Sequence, residues 1–144
     1  MKKMFFVLMV VFILGAMLLA ACGGGAAPAG SGKQRPTPPA DYAGKTNPLA
    51  GNADAVAKGK EQYSALCTSC HGEKGLGDGP AGMALTPTPA NLQQAATEAS
   101  DAYLFWRVSE GGAMDPFKSS MPAQKSVLKE EQIWQVITYV KTLK

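Results

Sequence analysis

Cys67-Thr68-Ser69-Cys70-His71 is the stretch around which the rest of the chain is read. The C-x-x-C-H spacing is the attachment signature of a c-type haem. Two thiols add across the two vinyl groups, and the two-residue gap matches the vinyl spacing. The adjacent imidazole reaches the iron from the same side as proximal ligand. His71 is the only histidine of the chain, so no second imidazole competes for the metal. A redox dithiol also uses C-x-x-C, but in a thioredoxin-like βαβ frame, and strand patterns are nearly absent here. Zinc needs at least one further ligand, and the third cysteine, Cys22, lies far upstream.

Outward from the motif, three stretches carry a helical period. Residues 54–67, opened by Asn52 or Asp54, place Val56, Gly59 or Lys60, Tyr63 and Cys67 on one stripe. Residues 100–110 pair Tyr103 with Trp106 and Leu104 with Val108, and Gly111-Gly112 stop them. Residues 129–143 repeat Ile133, Val136, Ile137, Val140 and Leu143, with Glu130 and Glu131 in the first turn, where the helix dipole favours them. Gly72–Asn91 and Gly111–Lys125 read as loops. The expected fold is all-α: three main helices and long loops around one covalently attached haem. About 92 residues without disulfides make a marginal core, which a large bound cofactor would complete.

Iron coordination decides what such a domain does. Four of the seven methionines precede residue 20, leaving Met83, Met114 and Met121 as thioether candidates for the second axial position. Met83 follows His71 too closely. Met114 and Met121 share the loop before the last helix. Met121 precedes Pro122, which biases its backbone to an extended form and lowers the ordering cost of ligation. Met121 is therefore the expected ligand and Met114 the alternative.

At the other end, Lys2 and Lys3 precede an apolar run from Met4 to Ala21, closed by Leu19-Ala20-Ala21-Cys22 and three glycines. This resembles a bacterial lipobox, with Cys22 as the lipidated residue; an uncleaved anchor helix is the competing reading. The expected organisation is a lipoprotein signal peptide over 1–21, a Gly/Pro/Ala-rich membrane tether over 22–52 and the haem domain over 53–144. The expected location is the outer face of the bacterial cytoplasmic membrane. Formal net charge is +3; without Lys2 and Lys3 it is 12 basic against 11 acidic residues. That balance gives no basis for nucleic-acid binding, and two haem propionates would make it slightly negative.

The series Gly59-Lys60, Tyr63, Cys67 to Gly72, Gly77-Asp78-Gly79-Pro80, Pro89-Ala90-Asn91-Leu92, Met121-Pro122 and Trp134 to Tyr139 resembles a class I monohaem cytochrome c across the whole domain. With its lipobox and tether, the chain is similar to the lipoprotein type. Its Gly-Asp-Gly-Pro and Pro-Ala-Asn-Leu segments are similar to the monohaem subunit of alternative complex III, a quinol-oxidising membrane complex. The resemblance implies haem c on Cys67 and Cys70, His71 and Met121 as iron ligands, and a Pro89 carbonyl holding His71 Nδ1–H, with Pro80 as competitor. It also implies that Gly59, Tyr63, Trp134 and Tyr139 form the crossing of the first and last helices. Arg107 and Trp106 are candidate donors to a haem propionate.

The implied activity is single-electron transfer, with no substrate chemistry, among membrane redox proteins of a respiratory or photosynthetic chain. A quinol-oxidising complex, a terminal oxidase and a reaction centre are all admissible partners, with the chain as fixed subunit or free tethered shuttle. A haem-based sensor with a displaceable Met and a peroxidase-like haem with an open face are the rivals. The latter lacks a second histidine for distal acid–base work. Lys129 stands where relatives carry a Ser or Thr cap for the last helix.

Overall fold

The structure, a computed structural model, describes residues 35–144. The expected signal peptide, Cys22 and residues 22–34 of the expected tether lie outside the described residues. Among the described residues five helices follow in order: α1 Ala53–Leu66, α2 Thr68–His71, α3 Leu92–Glu98, α4 Asp101–Glu110 and α5 Glu130–Val140. Among the described residues no strand forms, and no helix is long and apolar enough to cross a membrane.

Side chains close the helix starts. Asn52 Oδ1 accepts from Ala55 N–H at 3.0 Å, Asn91 Oδ1 from Gln94 N–H at 3.1 Å, and Ser100 Oγ from Tyr103 N–H at 3.2 Å. The start of α5 is capped from one side only. Lysine offers no acceptor, and Gln132 Oε1 instead takes the Lys129 N–H at 2.9 Å.

The core is the crossing of α1 with α5, covered by α4. Gly59 meets the α5 backbone: a Cβ built there would lie 2.0 Å from the Gln135 carbonyl oxygen and 3.0 Å from Tyr139 Cβ. No residue but glycine fits, although glycine in a helix interior costs about 0.5–1 kcal/mol relative to alanine. Tyr63, 1% exposed, packs beside Tyr139 with ring centroids 5.3 Å apart. Trp134 departs from the expected crossing. Its ring lies 4.3 Å from that of Phe105, so it joins α5 to α4. Ile133, Val136, Ile137 and Val140 are all buried, as their spacing predicts.

Two elements went unseen in the sequence. The α2 turn continues α1 past a break at Cys67. The α3 helix has only seven residues, with Ala95 alone buried, so no hydrophobic period develops over it.

The tether expectation is corrected from residue 35 onward. Residues 35–52 lie against the helices instead of extending freely. Tyr42 packs on Phe105 at 6.1 Å. Asn47, buried, donates its backbone N–H to the Asp101 carboxylate at 2.8 Å and its Nδ2 to Thr138 Oγ1 at 2.9 Å. Arg35 pairs with Glu98 at 3.1 Å and Lys45 with Glu130 at 3.0 Å. A Gly/Pro/Ala-rich composition predicts freedom only where no partner surface is offered; here α4 and α5 offer one.

Candidate haem attachment site

Cys67 caps the end of α1, and its N–H donates to Tyr63 O at 2.8 Å. The helix restarts at once, so Cys70 and His71 fall within one turn of Cys67, with His71 N–H on Cys67 O at 2.9 Å. Both thiols are free and half-buried. Burial, reinforced by the neighbouring Cys70, pushes the Cys67 thiol up to about 11. It is uncharged at neutral pH, and thioether formation removes an ionisable group from that spot. Tyr63 Oη donates to Gly72 O at 2.7 Å in a buried bond, fixing the chain just after His71.

The following loop folds back under the turn through its own backbone. Gly77 N–H donates to His71 O at 2.9 Å, Gly79 N–H to Cys70 O at 3.2 Å and Ala81 N–H to Ser69 O at 2.9 Å. Leu92 N–H donates to Gly75 O at 2.6 Å, bringing in the start of α3. This brings Ala90, not Pro89, to the histidine: Ala90 O lies 3.3 Å from His71 Nδ1. The Pro89 carbonyl instead faces Gly77, 2.4 Å from where a Cβ there would sit. Pro89 is therefore corrected by one residue, because the close Gly77–Pro89 contact sets the register of the loop. Pro80, the competing candidate, is exposed and has no bond to His71.

A carbonyl only accepts, so the His71–Ala90 bond places the proton on Nδ1 and leaves the Nε2 lone pair free. Burial lowers the His71 pKa, partly offset by the Ala90 carbonyl. The net lowering favours a neutral imidazole, able to bind a metal from Nε2.

The second methionine-bearing loop, 111–125, is closed at its base. Gly112 N–H donates to Met121 O at 2.9 Å and Ser119 N–H to Gly112 O at 2.7 Å. Gln124 N–H donates to Val108 O at 3.0 Å and Lys125 N–H to Ser109 O at 3.2 Å. Met121 is thus held through its own backbone at the neck. Met114 sits at a turn whose carbonyl takes Phe117 and Lys118 N–H, and its Sδ lies 3.8 Å from Arg107 Nη1. Arg107 is not a solvated arginine. It donates to Gly111 O at 2.6 Å and stacks on Phe117 at 3.5 Å, while burial lowers its pKa. That commitment to the loop was not anticipated for a residue read as a propionate donor. Met83 is 67% exposed.

The donor set fits a covalent haem. Among the described residues no three His, Cys, Asp or Glu side chains converge on one ion. Cys67, Cys70 and His71 share one helical turn, the arrangement that attachment to two vinyl groups and one iron requires. A cavity of about 480 Å³ between the start of α1 and the end of α5 is lined by Ala50, Val56, Thr138 and Lys141. It contains none of these residues.

Comparison with known proteins agrees. The sequence profile of the cytochrome c family matches residues 56–144, more than half of the chain. No curated protein sequence matches it. Among solved structures, the chain is similar to cytochrome cL of the marine methylotroph Methylophaga aminisulfidivorans, with TM-score 0.52 and 20% identity. That match covers 67% of this chain and 60% of the other. It is also similar to a chain of the reducing HAO-like protein complex of Kuenenia stuttgartiensis, with TM-score 0.54 and 23% identity. There the match covers 76% of this chain and 51% of that one. At such identities the likeness concerns the fold alone.

Proposed function

This chain belongs to the cytochrome c family, and on that footing we propose that it is a single-electron carrier, not an enzyme. It works between membrane-bound redox proteins at the outer face of a bacterial cytoplasmic membrane. When bound, haem c supplies one-electron chemistry at its iron. The chain's own residues attach, orient and ligate it. Cys67 and Cys70 would hold the macrocycle by two thioethers, and His71 Nε2 would ligate the iron. The observation that carries this reading is the Ala90 carbonyl 3.3 Å from His71 Nδ1, which fixes the ring and raises its basicity as a ligand.

Met121 would be the second iron ligand. Its backbone is pinned by Gly112 N–H, whereas the Met114 sulfur is engaged by Arg107. A Met thioether as second ligand would raise the potential and leave no open position for a substrate. Lipidation at Cys22 supplies the membrane attachment, and a place in a quinol-oxidising complex such as alternative complex III suits a carrier so anchored. The paired test is Met121→Leu against Met114→Leu, each nearly volume-conserving. Met121→Leu is expected to abolish the weak near-red thioether–iron band and lower the potential; Met114→Leu is expected to leave both unchanged. Reversal of the two results moves the ligand to Met114. Retention of the band in both removes this loop from coordination and favours a sensor or an open-faced haem.

A further inference from the structure

Glu110, the last residue of α4, sits where two chain segments meet. Its Oε1 accepts from Tyr42 Oη and from Lys125 Nζ at 2.8 Å, and its Oε2 lies 2.7 Å from the same ammonium. Tyr42 belongs to the N-terminal segment, 68 positions away. Lys125 closes the methionine loop through its own N–H on Ser109 O. One residue further, Gly111 has φ +71°, and a Cβ there would lie 2.5 Å from Met121 O and 2.7 Å from Ala123 N. The end of α4 is thus in direct backbone contact with Met121, and only glycine permits the approach. A displacement of Glu110 has little slack to absorb it before it reaches Met121.

The segment around Tyr42 is itself fastened at several points. Asn47 is locked to Asp101 and Thr138, Lys45 lies over the Phe105 ring at 4.9 Å, and Arg35 over Tyr103 at 5.5 Å. Most of these contacts hold the segment to the start of α4 and to α5. Only Tyr42 reaches the end of α4, where the loop begins. Tyr42 ionises at about 12, held up by burial and then by the Glu110 carboxylate. Glu110 is held below the ordinary carboxylate range by Lys125 and then Tyr42. The bond therefore joins a neutral phenol to a carboxylate, the stronger charge-assisted kind.

We propose that residues 35–47 form a strap that positions the distal-ligand loop, with Tyr42 and Lys125 gripping Glu110 from opposite sides and so restraining Met121. The inference rests on Met121 being the distal ligand. Tyr42 is a positioning residue: it acts on the ligand through Glu110 and the Gly111–Met121 backbone contact.

The test is competition for the iron by imidazole in the haem-loaded full chain, followed by loss of the near-red thioether band. Tyr42→Phe keeps the ring against Phe105 and removes only the hydroxyl. It is expected to leave the band in place and to lower the half-displacing imidazole concentration by about three- to tenfold, the share of a charge-assisted hydrogen bond transmitted to the loop. Lys125→Gln attacks the same carboxylate from the loop side and is expected to act in the same direction. The double variant should fall short of the product of the two single effects, because both act through Glu110. Arg35→Ala, which loosens the strap at its far end, should change the concentration less than twofold.

A Tyr42→Phe protein that binds imidazole as the native chain does, with or without a lower denaturation midpoint, overturns the proposal. So does an Arg35→Ala effect equal to that of Tyr42→Phe, since the strap would then only stabilise the domain. A native chain without the near-red band overturns the Met121 assignment itself, and this inference with it.

Discussion

The segment 67–92 and the loop 107–125 hold their functional side chains by different means. In the first, backbone grips backbone. Three loop N–H groups return to the carbonyls of Ser69, Cys70 and His71, and Ala90 O meets the histidine. In the second, the neck is closed by backbone bonds, but the loop is braced by side chains: Arg107 on Gly111 and Phe117, Lys125 on Glu110, and Tyr42 from a distant segment. Backbone wiring suits a covalent attachment that never lets go. Side-chain bracing would suit the proposed Met121–iron bond, which is weak and would depend on how firmly its loop is held.

The sharpest way to test the first half of this contrast is to remove the covalent link. Cys67→Ala with Cys70→Ala is expected to abolish haem staining on a denaturing gel and to leave little folded protein, since the haem is part of a marginal core. Full staining in the double variant refutes covalent attachment.

A smaller effect is expected from Gly77→Ala. The residue has φ +84°, and its Cβ would fall 2.4 Å from Pro89 O, a backbone atom that cannot swing aside. The left-handed conformation and the clash together should cost about 2–4 kcal/mol in denaturant unfolding of the haem-loaded protein. A loss under about 1 kcal/mol would mean that the proximal loop is not held by backbone packing, and the contrast would fail.

The smallest effect concerns the strap at acid pH. Burial raises the Asp101 pKa, but Lys141 and the Asn47 N–H outweigh it and hold the carboxyl below its ordinary value. A carboxylate depressed in the folded state contributes stability above its unfolded pKa, near 4, and loses it as pH falls through the folded value. Asp101→Asn should therefore lower the thermal midpoint at pH 6–7, by an amount equivalent to less than about 1 kcal/mol. It should also flatten the fall in midpoint below about pH 4. Parallel acid limbs in the two proteins would remove Asp101 from the account of the strap.

Some of this was legible because it is local. A covalent attachment motif is five consecutive residues, and its geometry is set by the haem vinyls, not by the fold. Helix periods in α1, α4 and α5 are local too, as is the Asn52 cap. The glycine notch at Gly59 was read correctly, but Trp134 was assigned to the wrong neighbour. A helix period says which residues are buried, not which helix they face.

The His71 acceptor was misplaced by one residue for a similar reason. Pro89 and Ala90 both offer a carbonyl, and only the packing of Gly77 against Pro89 decides which one turns toward the ring. The α3 helix escaped because seven mostly polar residues cannot show a period.

The sequence by itself determined an all-helical haem domain, its covalent attachment and its two candidate methionines, because covalent spacing and helical period act within a few residues. Tertiary structure alone decided that residues 35–52 lie against the helices, with Tyr42 reaching Glu110 beside the 111–125 loop. The bonds that say so join Tyr42 to Glu110 across 68 positions and Asn47 to Thr138 across 91. No local composition encodes such pairings. They exist because folded α4 and α5 present an aromatic and polar face that a proline-rich segment can cover at little further cost in chain entropy.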